Sequence, residues 1–175
     1  MRYKTHIAGG LALGYFTINN IEMLNINLSD NKTLLIATAG LVLGSLVSDI
    51  DIASSYLSNK LKIISFFTSK LFKHREFTHS IVGAGLMSML MYFILKKLDI
   101  HPRVVNDFSI SFSIGIVTHI LLDLMTCGGV VLFFPFYKKR IKTSAKFCIN
   151  NTYRNFIESA MIILFVFIAY RSLII

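Results

Sequence analysis

The sequence predicts an all-α integral membrane protein, a bundle of four to five short transmembrane helices with one amphipathic helix at the membrane surface. Hydrophobic residues make up 54% of the 175 residues, and charged residues make up only 15%, which is low for a soluble domain. The apolar residues are concentrated in five runs, and the basic residues lie between them, as in loops beside a membrane. The net charge of +9 therefore does not indicate nucleic-acid binding. The length predicts a single domain, residues 1–175.

Each apolar run predicts one helix. About 20 apolar residues are needed to cross a bilayer, and only the last run meets this length comfortably. The first run predicts either a full span, ending near residue 21, or a half-inserted helix. The runs cover Ile7–Ile18, Thr33–Ser48, Ser80–Leu95, Phe108–Met125 and Phe156–Ile175. Seven glycines are expected to let these helices pack closely: Gly9, Gly10, Gly14, Gly40, Gly44, Gly83 and Gly85.

The distribution of basic residues predicts the orientation. If every run crosses the membrane, the N-terminus and the two long loops share one side, and that side carries 13 of the 18 Lys and Arg residues. The positive-inside rule places this side in the cytoplasm of a multi-pass membrane protein. Both cysteines, Cys127 and Cys148, fall on the same side, where thiols stay reduced, so no disulfide is expected.

The loop after the second run contains the predicted surface helix. Between Leu57 and Phe72, apolar residues recur at helical spacing, with lysines at other positions. This pattern is typical of an amphipathic helix on the membrane surface, and an ordinary helix packed on the bundle explains it equally well. Membrane lipids are the expected partners of this surface and of the basic cluster formed by Lys138, Lys139 and Arg140.

The unusual polar residues all lie at the cytoplasmic ends of the predicted spans. One histidine opens the first run, two aspartates close the second, and two histidines of the stretch HREFTHS precede the third. A histidine and an aspartate, four residues apart and thus on one helical face, lie near the end of the fourth. The segments therefore bring seven candidate metal ligands to one level: His6, Asp49, Asp51, His74, His79, His119 and Asp123.

Imidazole and carboxylate ligands suit zinc, and manganese or iron as alternatives. Seven candidates exceed the need of one tetrahedral ion, so one or two ions are expected. A site with two ions would clamp a phosphoryl group. For His6 alone, a capping or interfacial role is as good an explanation. His119 and Asp123 are harder to explain without a partner, because both lie in an apolar run. His101 falls on the opposite side and is interpreted as a surface residue.

The motifs SDIDIASSYLSNKLKIIS, HREFTHS and HILLDLMTCGGVVLFFP, taken in this order, resemble the YdjM-like family of bacterial inner-membrane metal-dependent hydrolases. The resemblance extends from His6 to Pro135 and implies that the seven residues above are metal ligands. It also implies a distant likeness to zinc-dependent enzymes of the phospholipase C type. The sequence departs from the family pattern at four positions, where the family usually has Pro, Gly, Trp and Glu: Ser48, Glu76, Phe134 and Arg154.

These observations predict a membrane-bound metal-dependent hydrolase, acting on a phosphoester of a lipid or lipid-linked substrate at the cytoplasmic face. Asp51 or Asp123 is expected to act as the base. Arg75 is expected to hold the phosphate, although a salt bridge to Glu76 is an equal alternative. Two other classes remain open, a metal or proton transporter and a non-catalytic membrane protein with a structural metal.

Overall fold

The computed structural model describes residues 3–51, 77–142 and 154–174. These ranges contain five α-helices and no β-strand, which confirms the all-α prediction for the described part of the chain. The predicted surface helix, residues 57–72, lies outside the described residues. The helices, labelled in chain order, are α1 (Tyr3–Asn20), α2 (Asn31–Val47), α3 (Ile81–Lys97), α4 (Pro102–Leu124) and α5 (Arg154–Ile174).

The helices begin where side chains can satisfy the free N–H groups of a first turn. Asp30 accepts a hydrogen bond from the backbone N–H of Thr33 at 2.9 Å at the start of α2. Ser80 does the same for Gly83 at 2.9 Å at the start of α3. At α4, Pro102 occupies the first helical turn and His101 is the capping residue. Because of this cap, α4 begins earlier than the apolar run at Phe108 predicts.

Two helices have the length and apolar character needed to cross a membrane. These are Asn31–Ile50, which is α2 with the turn that follows it, at 20 residues, and α4 at 23 residues. In α5, the described apolar stretch is Glu158–Ile168, so the expectation that the last run has a comfortable spanning length stays a prediction.

Close packing of α2 against α4 forms the centre of the bundle. A Cβ atom added to Gly115 of α4 would lie 2.5 Å from the carbonyl oxygen of Leu41, and one added to Gly44 of α2 would meet the carbonyl of Phe112. Only glycine permits such an approach of two backbones. Leu41, Phe112 and Ile116 fill this layer and are at most 1% exposed.

Gly85 of α3 is an exception among the seven glycines expected in close packing. A Cβ atom there would have no neighbour within 4 Å, whereas each of the other six would meet a side chain or the backbone. The expectation is therefore wrong for Gly85. This glycine borders an open groove instead of a tight helix contact.

The antiparallel order of α1 to α4 places four chain segments at one end of the bundle. α1 and α3 begin there, and α2 and α4 end there. A 3-10 turn, Ser48–Asp51, follows α2 at this end, and the loop after α4 is joined to α3 by a hydrogen bond from Ile81 N–H to the carbonyl of Leu132 at 2.9 Å.

Candidate metal centre

Four polar side chains from three segments meet at this end of the bundle. Asp49 extends from the turn after α2, His79 from the turn before α3, and His119 and Asp123 from the last turns of α4. One ligand atom from each of the four lies within 4.8 Å of the others. Three of these side chains are fully buried, and Asp49 is 14% exposed. The group could hold a metal ion.

Five distances among the four ligand atoms range from 3.2 to 3.8 Å, close to the spacing that a tetrahedral ion requires. The Nε2 atoms of His79 and His119 are 3.2 Å apart. Asp49 Oδ1 lies 3.6 Å from the first nitrogen and 3.5 Å from the second. Asp123 Oδ2 lies 3.2 Å from Nε2 of His79 and 3.8 Å from Nε2 of His119. Zinc bonds of 2.0–2.1 Å in a tetrahedron require ligand atoms about 3.3–3.4 Å apart.

The hydrogen bonds behind the two imidazoles determine which ring nitrogen faces the centre. His119 Nδ1–H donates to the backbone carbonyl of Ser45 at 2.6 Å, because a carbonyl can only accept. Nε2 of a neutral His119 then carries a lone pair toward the other three ligands. Nδ1 of His79 forms a hydrogen bond with Thr78 Oγ1 at 2.9 Å. Partners of this kind orient histidine ligands in metal sites.

Electrostatics also favour a cation between these groups. Burial opposes the charged form of His79, but the carboxylates of Asp123 and Asp49 outweigh burial and raise the pKa of His79 to about 8. Two carboxylates beside two imidazoles thus require positive charge at this position. A divalent ion would provide that charge with all four ligands deprotonated.

His6 of α1 lies directly beside the four-residue group. Its ring stacks on that of His119, with centroids 3.8 Å apart and an interplanar angle of 12°. Its Nε2 atom is 3.5 Å from Asp123 Oδ1. Within residues 3–51, 77–142 and 154–174, neither ring nitrogen of His6 has a hydrogen-bond partner, although the side chain is 1% exposed. A buried imidazole without such a partner fits a further ligand better than a helix cap.

Comparison with known proteins shows the family of this chain. A family model described as YdjM inner membrane protein matches residues 1–175. The chain belongs to this family. Its resemblance to YdjM-like proteins, inferred from the motifs above, is therefore confirmed.

Two relatives of this YdjM family member show the extent of the similarity. YvsG of Bacillus subtilis is 32% identical over 140 residues, which cover 77% of this chain and 74% of YvsG. Inner membrane protein YdjM of Escherichia coli is 30% identical over 135 residues, which cover 77% of this chain and 66% of that protein. The match thus spans about two thirds of the length of the Escherichia coli protein. No solved structure matches the chain.

Five of the seven predicted ligands meet in this YdjM family member, namely His6, Asp49, His79, His119 and Asp123. The other two are not placed. Asp51 ends the 3-10 turn, but its side chain lies outside what the structure describes. His74, like Arg75 and Glu76, lies in the segment 52–76, also outside the described residues. The ligand roles of Asp51 and His74 and the phosphate-binding role of Arg75 stay predictions.

Sequence reasoning missed two contributions to the centre and one buried acidic residue of α5. The carbonyl of Ser45 has no signal in the sequence, because any residue carries one. Ser80 caps α3, whereas Thr78 contacts His79, a role that no pattern in the sequence indicates. Glu158 of α5 is 2% exposed, and its signal was available, since it is the one acidic residue in the last run. It lies four residues after Arg154, where the family pattern has glutamate.

The cysteine expectation is wrong for Cys127, which is disulfide-bonded in this structure. The chain has one other cysteine, Cys148, which lies outside the described residues. The expectation rested on the reducing environment of the cytoplasm, not on the distance between the two residues. Cys127 follows Asp123 by four residues, so its state bears on the orientation of the metal centre.

Proposed function

We propose that this protein is a membrane-bound metal-dependent hydrolase that cleaves a phosphoester of a lipid or lipid-linked substrate at the cytoplasmic face. The observation that carries the proposal is the 3.2 Å separation of the Nε2 atoms of His79 and His119 between two carboxylates. Zinc is the preferred ion for these ligands, with manganese or iron as alternatives. When bound, such an ion supplies a Lewis acid that polarises a phosphoryl oxygen and activates water.

The burial of the two aspartates supports different roles for them. Asp123 is fully buried and close to His6, His79 and His119. It cannot exchange a proton readily with solvent, so we assign it to holding the ion and not to acting as the base. Asp49 is 14% exposed, and its carboxylate can both face the centre and reach water. We therefore assign proton transfer to Asp49, with Asp51 as the neighbouring candidate.

The packing between the metal centre and the opposite end of the bundle argues against a metal or proton transporter. A transporter needs a polar path through the bundle, and α4 does carry buried Ser109 and Ser111 toward the other end. Between these serines and His119, Phe112 and Ile116 of α4 are buried apolar residues, as is Leu41 of α2. These side chains support a site that works from one membrane face.

A structural metal is the second candidate, because four protein ligands can close the coordination of zinc. Turnover of a phosphoester distinguishes the hydrolase from a protein with a structural metal. Protein purified in detergent is assayed with bis-p-nitrophenyl phosphate, p-nitrophenyl phosphate and phosphatidylglycerol, before and after treatment with EDTA and re-addition of zinc, manganese or iron. The hydrolase proposal predicts turnover that EDTA removes and one of the metals restores. It also predicts that Asp49→Asn, assayed with metal in excess to offset weaker binding, loses at least about 100-fold in rate.

A result with stoichiometric metal but no turnover of any of these phosphoesters would contradict the hydrolase and favour a structural ion. His101→Gln, at the opposite end of the bundle, is the matched control. It should change neither metal content nor rate, because His101 is exposed and caps α4.

The cytoplasmic orientation is supported by the 13 of 18 basic residues on the side of the centre. The disulfide of Cys127 favours the opposite orientation, with the metal centre outside the cytoplasm, because disulfides persist in oxidising compartments. A cysteine replacing Lys97, in a chain with both native cysteines changed to serine, decides the question in whole cells. Labelling by a membrane-impermeant maleimide is expected. Protection of this cysteine, with labelling of one at exposed Lys139, would reverse the orientation.

A further inference from the structure

An apolar groove lies between α3 and α4, with a volume of about 480 Å³. On α3, its wall consists of Ile81, Ala84, Gly85 and Ser88. These residues follow the spacing i, i+3, i+4 and i+7, so they form a single stripe along one face of the helix. The volume falls within the range of pockets that bind small molecules.

The facing wall on α4 runs along the helix from Ser113 through Val117 to Leu124. These positions span 11 residues, and at 1.5 Å per residue the groove is about 16 Å long. Half of a hydrocarbon core of about 30 Å has nearly the same depth. The groove therefore has the length of one leaflet of a bilayer.

Gly85 keeps the groove open. A glycine inside a helix costs roughly 0.5–1 kcal/mol relative to alanine. Of the other six glycines expected to pack closely, Gly83 lies against the turn before α3 and the remaining five contact another helix, but no atom lies within 4 Å of a Cβ built at Gly85. The absence of a side chain at Gly85 therefore widens the groove and does not bring α3 and α4 closer together.

One end of the groove lies at the level of the metal centre. Leu124 directly follows Asp123, and Ile81 comes two residues after His79. Leu132, which closes this end, is joined to Ile81 by the backbone hydrogen bond at 2.9 Å. The other end, at Ser88 and Ser113, lies one leaflet deeper.

The charge near the metal-centre end is positive. Lys138, Lys139 and Arg140 are exposed in the loop that also contributes Leu132. Basic residues at this depth attract anionic lipid headgroups. An apolar groove of leaflet depth, a metal centre at the level of one of its ends and a basic loop beside that end together match a phospholipid with an anionic headgroup.

We propose that the groove between α3 and α4 binds one acyl chain of an anionic phospholipid and holds the phosphate of that lipid at the metal centre. This inference rests on the proposed hydrolase function and names its substrate class. The apolar walls select for an acyl chain, and the groove sets how deep the chain sits. A free phosphoester without an acyl chain would lack this contact.

The test uses a phosphatidylglycerol with a photoactivatable diazirine on one acyl chain, at a low mole fraction in nanodiscs of dioleoylphosphatidylglycerol containing the full chain. After irradiation, mass spectrometry quantifies the label on the peptides of α3 and α4. Gly85→Phe fills the groove from one wall and Val117→Phe from the other. Met89→Phe is the matched control, because Met89 is 56% exposed on α3 but does not line the groove.

We expect the label to concentrate on the groove walls in the wild type. It should fall about tenfold in both filling variants, since losing the burial of only two methylene groups changes affinity by about that factor. Labelling should be unchanged in Met89→Phe. Label spread over all exposed faces of α3 and α4 in proportion to their exposure, and insensitive to Gly85→Phe and Val117→Phe, would overturn the proposal.

Metal content and turnover, measured on the same samples, separate this proposal from the hydrolase itself. If Asp123→Asn removes the metal while groove labelling persists, the groove binds the acyl chain without help from the metal. If no phosphoester is turned over but the label still depends on Gly85, the hydrolase fails and lipid binding stands. If labelling is uniform while turnover is normal, only the groove fails.

Discussion

The two ends of the bundle use the same kinds of polar residue in different ways. At the end opposite the metal centre, charged side chains are satisfied by their own helix. Asp30 caps α2, His101 caps α4, and Arg103 lies 3.9 Å from Asp107 one turn later, with Arg103 62% exposed. At the metal centre, the partners come from residues far apart in the chain, such as His79 and His119, 40 positions apart.

The sequence distance between partners distinguishes a metal site from the capping interactions that end ordinary helices. Local pairs form wherever a helix ends and need no function to explain them. A buried group of imidazoles and carboxylates from separate segments is costly unless something binds between them, because each charge has left water. The burial of polar residues and the sequence separation of their partners are therefore more informative than the presence of histidine and aspartate.

The largest expected effect concerns metal-dependent stability. A metal that binds only the folded state at 1,000 times its Kd stabilises that state by about 4 kcal/mol. We expect a chelator to lower the Tm of the wild type strongly and to leave the Tm of Asp123→Asn nearly unchanged. Asp107→Asn, a matched change at the other end, should keep the full response. Equal chelator responses in the two variants would remove the distinction between the ends.

The glycine contacts between the two ends provide the next prediction. Gly44→Val should destabilise the protein by about 1–3 kcal/mol, because the added carbons meet the carbonyl of Phe112, which cannot move aside. It should also weaken metal binding, since α2 carries Asp49. Gly85→Ala, the control, should be neutral or stabilising by up to about 1 kcal/mol. Thermal unfolding in detergent measures both variants, and a Gly44→Val protein as stable as the wild type would contradict the packing.

The residues behind the ligands give a smaller effect. Thr78→Val removes the hydrogen bond to His79 Nδ1 and should weaken metal affinity about 10- to 100-fold, as is typical for such partners. Thr118→Val is the control, because Thr118 is equally buried but donates to the carbonyl of Ile114 in its own helix. Competition with a fluorescent zinc chelator measures both affinities. Equal affinities for the two variants would show that Thr78 does not orient the ligand.

The smallest effect is expected at the opposite end. Arg103→Ala breaks an ion pair at 3.9 Å between an exposed guanidinium and the buried carboxylate of Asp107, and should cost no more than about 1 kcal/mol because the arginine remains in water. Metal content should be unchanged, and thermal unfolding together with metal analysis measures both quantities. A loss of metal in Arg103→Ala would show that the two ends are coupled.

Much of the fold could be predicted from hydropathy. The five apolar runs correspond to α1 to α5, and three of the runs begin within two residues of their helices. The start of α4 was missed because Arg103 and Asp107 interrupt the apolar pattern. Pro102 was the available signal, since proline is common in the first turn of a helix. The first run also begins four residues late, because polar residues open α1.

The meeting of His6, Asp49, His79, His119 and Asp123 could be predicted because antiparallel helices bring their ends to common levels. The distances could not, because they depend on how closely α2 and α4 approach and on which rotamers the turns impose. The contacts of Ser45 and Thr78 depend on the same local geometry. The groove at Gly85 was also beyond prediction, since a glycine in a helix can mean either a tight contact or an open space.

The most direct test of the central claim is the metal content of the purified full-length protein, measured by inductively coupled plasma mass spectrometry under chelator-free conditions. Wild type is compared with His79→Ala and His119→Ala at the centre and with His101→Ala at the opposite end. We predict stoichiometric zinc, manganese or iron in the wild type and His101→Ala, and loss of the metal in the other two variants while helical circular dichroism is retained. No bound metal in the wild type, or equal metal in all four proteins, would contradict a metal centre at His79 and His119.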